Sequence, residues 1–326
     1  MQDNRTMTFR CLWSRLGNRA IAIALLLTVL LGASASAAVL PAVMKTPYFT
    51  VHYNPADRQL AESTADTARM ELARISNALG YTIERGRPIP LMVYSSHVAF
   101  IKAGNIEDRM TVGTARSGDE TVSIDASETL VSIRLVLAHE ITHAVIFRIL
   151  GTNSYALPLW ANEGLAKYES QGFTGDDEDI IAESTSDGTI MPLSSLRTSF
   201  PAERSALAYA ESWSAISYLV KKHGESAPKA MLAELARTGS FDSAISKVTG
   251  GSQNQFIKGW NDSLKERFGM ARVLQIALAF IWPIMALLAV VAFIVRRKRM
   301  RDAARQWDME QFEESMERQL REWPHR

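Results

Sequence analysis

The stretch that decides the fold is LVSIRLVLAHEITHAVIFRIL, residues 130–150. Its apolar residues recur at helical spacing and it contains no proline, so the pattern predicts a helix from Thr129 to Leu150. Positions i and i+4 of a helix lie on one face, and His139 and His143 therefore point the same way. Glu140 is offset around the helix axis from both histidines.

This spacing points to a metal site. Two imidazoles on one helix face can both reach a single Zn²⁺ at about 2.0–2.1 Å. Glu140 can then reach a metal-activated water without binding the metal, which is the position of a general base. One alternative is a pair of hydrogen-bonded core histidines. Another is a metal site inside a membrane span, which the charges of Arg134, Glu140 and Arg148 disfavour.

Composition restricts the choice of a further ligand. The chain has one cysteine, Cys11, in a basic N-terminal leader. Removal of the leader would exclude thiolate ligands, disulfides and a cysteine nucleophile. A catalytic zinc usually has three protein ligands. A predicted helix from Pro158 to Ser170 carries Glu163 within Trp-Ala-Asn-Glu-Gly-Leu-Ala, and Glu163 is our candidate third ligand. Ordinary helix capping by the Asn-Glu pair is the alternative.

Together these residues resemble a known family. His139-Glu140-x-x-His143, followed by Glu163 in its Trp-x-Asn-Glu-Gly-Leu-Ala context, resembles the gluzincin metallopeptidases and, within them, the bacterial peptidase MA-like domains. The resemblance covers roughly residues 46–268. It implies a Zn²⁺ ion held by both histidines and Glu163, with Glu140 as general base and later proton donor. It also implies a peptide or protein substrate.

One position departs from that family. An acid often stands four residues after the ligand glutamate, and here that residue is Lys167. Another group must then orient a zinc-bound histidine, and Asn162 and Glu169 are the candidates. Hydrolysis also needs a donor for the oxyanion, for which we select Tyr209. The alternative for Tyr209 is a packed aromatic residue on an amphipathic helix.

The remaining pattern predicts an α+β fold, a zincin-like metallopeptidase domain with a small sheet, an active-site helix and a helical C-terminal lobe. The acidic segment 172–179 is predicted to be a surface loop. We expect the strand 121–125 to be an edge strand that pairs with an extended peptide. The other predicted strands are 48–53 and 89–94, and the other predicted helices are 56–79, 206–223, 228–238, 241–248 and 253–268.

Two segments lie outside this domain. Residues 1–38 combine arginines, an apolar stretch and small residues, which is typical of a secretory signal peptide, with an uncleaved anchor as the alternative. Residues 273–295 are apolar and long enough to form one C-terminal transmembrane helix. Arginines and lysines follow at once, so residues 296–326 are expected to form a cytoplasmic tail. The tail's mixed charges and apolar residues suit either a partner or membrane-surface helix or a solvated one.

These features predict a single-pass protein of the bacterial cytoplasmic membrane with an extracytoplasmic zinc endopeptidase domain. The formal net charge of +1 gives no indication of a nucleic-acid partner. One alternative is a metal-binding but non-catalytic module that acts in membrane-protein assembly or signalling. The sequence does not indicate which polypeptide is cleaved.

Overall fold

The computed structural model describes residues 42–106, 110–127 and 129–321. The predicted signal peptide therefore lies outside the described residues. Within them, one sheet has the strand order β1-β2-β3-β5-β4. The three inner strands are parallel, and β1 and β4 are antiparallel edges. The strands are β1 Ala42–Lys45, β2 Phe49–Tyr53, β3 Ile89–Tyr94, β4 Gly113–Ala115 and β5 Val122–Asp125.

Helices make up most of the rest of the described chain. Their order, with most of the strands preceding most of the helices, is that of the predicted α+β class. They are α1 Arg58–Leu79, α2 His97–Gly104, α3 Leu130–Leu150, α4 Leu159–Glu169, α5 Gly175–Asp187, α6 Ser205–His223, α7 Ala227–Thr238, α8 Phe241–Thr249 and α9 Gln253–Arg321.

The core lies between the sheet and its covering helices. In β2, Phe49, Val51 and Tyr53 are buried while the residues between them are partly exposed, which is the alternation of a strand with one covered face. Helices α1 and α3 pack against each other, and both contact the sheet. The fully buried Leu137 precedes the histidine motif in α3 and the fully buried Ile141 lies within it, so core packing fixes this helix.

The predicted surface loop at 172–179 is wrong, because α5 begins there. Thr174 and Asp177 form a capping box in which each side chain accepts a hydrogen bond from the other residue's backbone. Acidic residues in the first turn also interact favourably with the helix dipole. The acidic composition that suggested a loop is thus the composition of a helix start.

The prediction that strand 121–125 is an edge strand is also wrong. β5 is hydrogen-bonded on both sides, to β3 and to β4. The edge on this side is β4, a strand that was not predicted from the sequence. A peptide can therefore add to the sheet here only along β4.

The last helix, α9, runs without interruption from the domain into the predicted span. Its first turns bury Phe256, Trp260 and Leu264 in the core. Its part from Ala277 onward has one segment long and apolar enough to cross a membrane, the only such helix in the described residues. The apolar side chains of that segment are exposed, as expected of a surface that faces lipid.

Candidate metal centre and cleft

Helices α3 and α4 bring the three predicted metal ligands together. Nε2 of His139 lies 3.2 Å from Nε2 of His143. Oε2 of Glu163 lies 3.3 Å from the first of these nitrogens and 3.6 Å from the second. Ligand atoms at two corners of a tetrahedron around Zn²⁺ would lie about 3.4 Å apart. The donor set and its spacing therefore fit a zinc ion.

Glu163 and the histidines stabilise each other's charged forms. Burial alone would lower the pKa of His143, but the charge of Glu163 and a hydrogen bond to it, with smaller effects of Glu140 and Asn162, raise that pKa to about 9. Burial alone would raise the pKa of Glu163, but the two histidines hold it well below its usual range. A bound dication would replace the proton that this arrangement attracts.

Asn162 orients one of the histidines. Its Oδ1 lies 3.1 Å from Nδ1 of His143. When Nδ1 carries the proton, it donates a hydrogen bond to Oδ1 of Asn162, and the lone pair of Nε2 then faces the metal position. Glu169, the other candidate, forms an ion pair with Arg74 instead, at 2.8 Å.

The position of α4 depends on close packing with α6. A Cβ added at Gly164 would overlap the backbone of Ser212, so only glycine allows the two helices to approach this closely beside Glu163. The first turn of α4 is fixed by backbone hydrogen bonds, in which N–H groups of Leu159 and Trp160 donate to carbonyls at 197 and 196. These contacts hold the ligand glutamate against α3.

A charge network around two buried glutamates, which the sequence did not predict, links α1 to both ligand-bearing helices. Glu71 accepts hydrogen bonds from Arg74 and from Arg134 of α3, at 2.8 and 2.7 Å. Arg74 also donates to the Glu169 carboxylate and to its backbone carbonyl at the end of α4. No local motif indicates this network, because its members are far apart in sequence.

A cavity of about 390 Å³ opens beside the metal ligands. Glu140 lines it, and burial raises the pKa of Glu140 although the two histidines oppose the shift. Tyr209 also lines it, and the Tyr209 ring packs edge-on against Phe200 with 5.0 Å between centroids. The cleft is bounded by residues from the β4 side, α3, α4 and α6, namely Met110, Thr111, Val112, Gly113, Leu135, Val136, His139, Glu140, Lys167, Ser170, Gly172 and Tyr209.

The small sheet, the helices packed on it and this His-His-Glu group together define a zincin-like metallopeptidase fold. The sequence profile of the Peptidase MA superfamily matches residues 67–266. That is more than half of the chain, and the chain belongs to this superfamily. No curated protein matches the sequence.

The solved structures that this chain resembles include M1 zinc metallopeptidases. The enzyme from Deinococcus radiodurans is 18% identical, with a TM-score of 0.38, over 68% of this chain and 50% of its own. A mutant two-domain M1 zinc metallopeptidase bound to L-tryptophan is 19% identical, with a TM-score of 0.40 and the same coverage. The chain thus spans half the length of these structures, and its family assignment depends on the sequence profile.

Proposed function

We propose that the chain is a membrane-anchored zinc metalloendopeptidase that hydrolyses extracytoplasmic peptides or proteins. The observation that carries this proposal is the convergence of His139, His143 and Glu163. One ligand atom of each residue lies within 4.8 Å of the other two. Glu140 lines the adjoining cleft beside this group. Membership of the Peptidase MA superfamily supports the same reaction class.

A bound Zn²⁺ would supply a Lewis acid that lowers the pKa of a coordinated water and polarises the scissile carbonyl. Glu140 follows His139 directly, so its side chain is turned by about 100° around the helix axis from that of His139. It lies 7% exposed at the cleft wall. From this position Glu140 can carry a proton from the water to the leaving amine, which is the role of a general base.

Two other residues have supporting roles in this proposal. Asn162 holds His143 in the tautomer that presents Nε2 to the metal. Tyr209 lines the cleft beside Glu140, where its hydroxyl can donate to the oxyanion of the tetrahedral intermediate. Its packing on Phe200 limits the orientations of the ring.

The proposed location follows from α9. The apolar, exposed segment from Ala277 supports a single membrane span. Basic residues follow it from Arg296 to Arg301, and such clusters favour the cytoplasmic side. The domain that precedes the span would then lie on the outer face of the bacterial cytoplasmic membrane. Substrates would be polypeptides that come close to that surface.

The test compares zinc content and peptide-library hydrolysis in wild type and Glu140→Gln. We expect the variant to keep its zinc and to lose about 10²–10⁴-fold in kcat, the contribution of a general base. The matched control is Glu183→Gln, an exposed glutamate of α5, which should hydrolyse the library like wild type. Equal turnover by Glu140→Gln would contradict the proposal. Zinc binding by wild type without turnover would favour a non-catalytic module in assembly or signalling.

A further inference from the structure

Lys167 stands where related enzymes often carry an acid, and it faces the cleft. It follows Glu163 by one helical turn and therefore shares its helix face. It lines the cavity together with Glu140 and Tyr209, and it is the only lysine or arginine among the described residues that do so. Its side chain is 16% exposed, so the neighbouring residues hold most of it in place at the wall.

Lys167 forms an ion pair whose acidic partner is held in place on the side away from the cleft. Its Nζ donates a hydrogen bond to Oδ1 of Asp177 at 2.7 Å. Oδ2 of Asp177 is occupied by the backbone N–H and hydroxyl of Thr174, at 2.8 and 3.0 Å, which anchors this carboxylate in the cap of α5. Asp177 is not among the cleft residues. The pair therefore presents its positive end to the cleft, and an ammonium has further donors to offer.

We propose that Lys167 binds a carboxylate of the substrate, so that the cleft prefers an acidic side chain or a free C-terminus close to the scissile bond. This inference rests on the proposed peptidase function. The carboxylates of Glu140 and Glu163 would be balanced by the divalent ion. The ammonium of Lys167, which Asp177 engages on one side only, is then the cation that the described cleft residues offer to a substrate anion. A substrate lysine at the same place would meet a like charge.

The test measures cleavage of matched peptides by the full-length, zinc-loaded protein in detergent. The peptides carry Glu, Gln or Lys at each position around the cleaved bond, each with a free or an amidated C-terminus. Wild type should favour Glu over Gln, or a free over an amidated C-terminus, by about tenfold in kcat/KM, mostly through KM, as expected of one charge-assisted hydrogen bond. Lys167→Gln should bring this ratio to about one, and Lys167→Glu should shift the preference to Lys.

The arms of the experiment identify the source of the carboxylate. A preference for Glu over Gln assigns it to an acidic side chain, and a preference for free over amidated peptides assigns it to the C-terminus. Lys258→Gln is the matched control, because Lys258 also pairs with an aspartate, Asp262, at 3.1 Å but does not line the cleft. It should keep the wild-type ratio. If neither the Glu-to-Gln ratio nor the free-to-amidated ratio differs between wild type and Lys167→Gln, the inference is overturned.

A binding measurement separates this inference from the proposed function. Fluorescence anisotropy with the same peptides is carried out on Glu140→Gln and on Glu140→Gln combined with Lys167→Gln. If wild type cleaves none of the peptides but the first variant binds the Glu peptides more tightly, the proposed function fails and the carboxylate site stands. Equal binding of Glu and Gln peptides together with equal binding of free and amidated peptides, or no binding, overturns the carboxylate site.

Discussion

Two buried glutamates near the cleft differ in what surrounds them. Glu140 is close to the two histidines, whose charges oppose the effect of burial on its pKa. Glu211 of α6 is completely buried, and its Oε1 accepts a hydrogen bond from the backbone N–H of Met191 at 2.9 Å. Its Oε2 has no hydrogen-bond partner among the described residues. Burial therefore raises the pKa of Glu211 to about 7, although Met191 and Arg204 oppose the shift.

This raised pKa predicts that Glu211 makes stability depend on pH. The unfolded carboxyl titrates near 4.5, so between about 4.5 and 7 the folded state holds a proton that the unfolded state has released. The stabilising contribution is complete below that window and is lost as the pH rises through about 7. Glu211→Gln cannot ionise and should gain roughly 2–3 kcal/mol over wild type between pH 5 and pH 8. Denaturant unfolding in detergent at these two pH values measures the gain.

The control for this prediction is again Glu183→Gln, whose exposed side chain should not change the pH dependence of wild type. A difference in unfolding free energy between Glu211→Gln and wild type that is the same at both pH values would contradict the prediction. It would mean that Glu211 is ionised throughout this range in the folded protein.

At the scale of elements, the edge strand β4 lies unusually close to the helix that carries the chemistry. A Cβ added at Gly113 would lie 2.7 Å from Oε1 of Glu140 and 2.5 Å from Cγ1 of Val136. Normal carbon contacts are about 3.5–4.0 Å, so any side chain here would displace the strand or Glu140. The glycine thus brings the backbone that a substrate would pair with next to the proposed base.

Gly113→Ala should therefore impair catalysis more than folding. We expect kcat/KM to fall by about 10–100-fold, because a displacement of about 1 Å of a reacting group has effects of this order. Zinc content and the circular dichroism spectrum should stay close to wild type. The measurement is hydrolysis of a peptide that wild type cleaves.

The control is Gly118→Ala in the same hairpin, where an added Cβ would contact nothing within 4 Å. It should retain wild-type activity. A kcat/KM equal to that of wild type in Gly113→Ala would contradict the prediction. It would show that the close approach of β4 to Glu140 is not needed for activity.

These elements also explain how much the sequence could predict. Helices α3 and α4 were predicted to within one residue at each end, because periodicity, a glycine stop and the metal-ligand spacing are all local signals. β4 has only partly exposed residues and no alternation, so no local pattern marks it. The network around Glu71 depends on residues brought together by tertiary packing. The same holds for the direction of the Lys167 ion pair.

At the scale of the whole molecule, α9 joins the domain to the proposed span without a flexible linker. Phe268 is still buried in the domain, while Leu278 is already exposed among the apolar residues of the span. At 1.5 Å per residue these two positions are about 15 Å apart along one helix. A cleft joined to the span by one continuous helix would stay at a nearly fixed height above the membrane surface.

Interrupting α9 between the domain and the span should change which membrane-bound substrates are cleaved. The substrates are peptides anchored in the same vesicle by a lipid, with spacers of increasing length before the cleavage site. Wild type should cleave them with a sharp optimum in spacer length. A flexible Gly-Ser linker of about ten residues inserted after the exposed Gly269 should broaden that optimum, since such a chain spans a range of distances. Hydrolysis of soluble peptides should not change.

A rigid insertion separates height from flexibility. About seven helix-forming residues at the same position should keep the optimum sharp but move it to longer spacers, because they raise the cleft by about 10 Å. They also rotate it by only about 20° relative to two whole turns. The same spacer dependence in wild type and both insertion variants would contradict the prediction. It would mean that the domain moves freely over the membrane although its last helix is continuous.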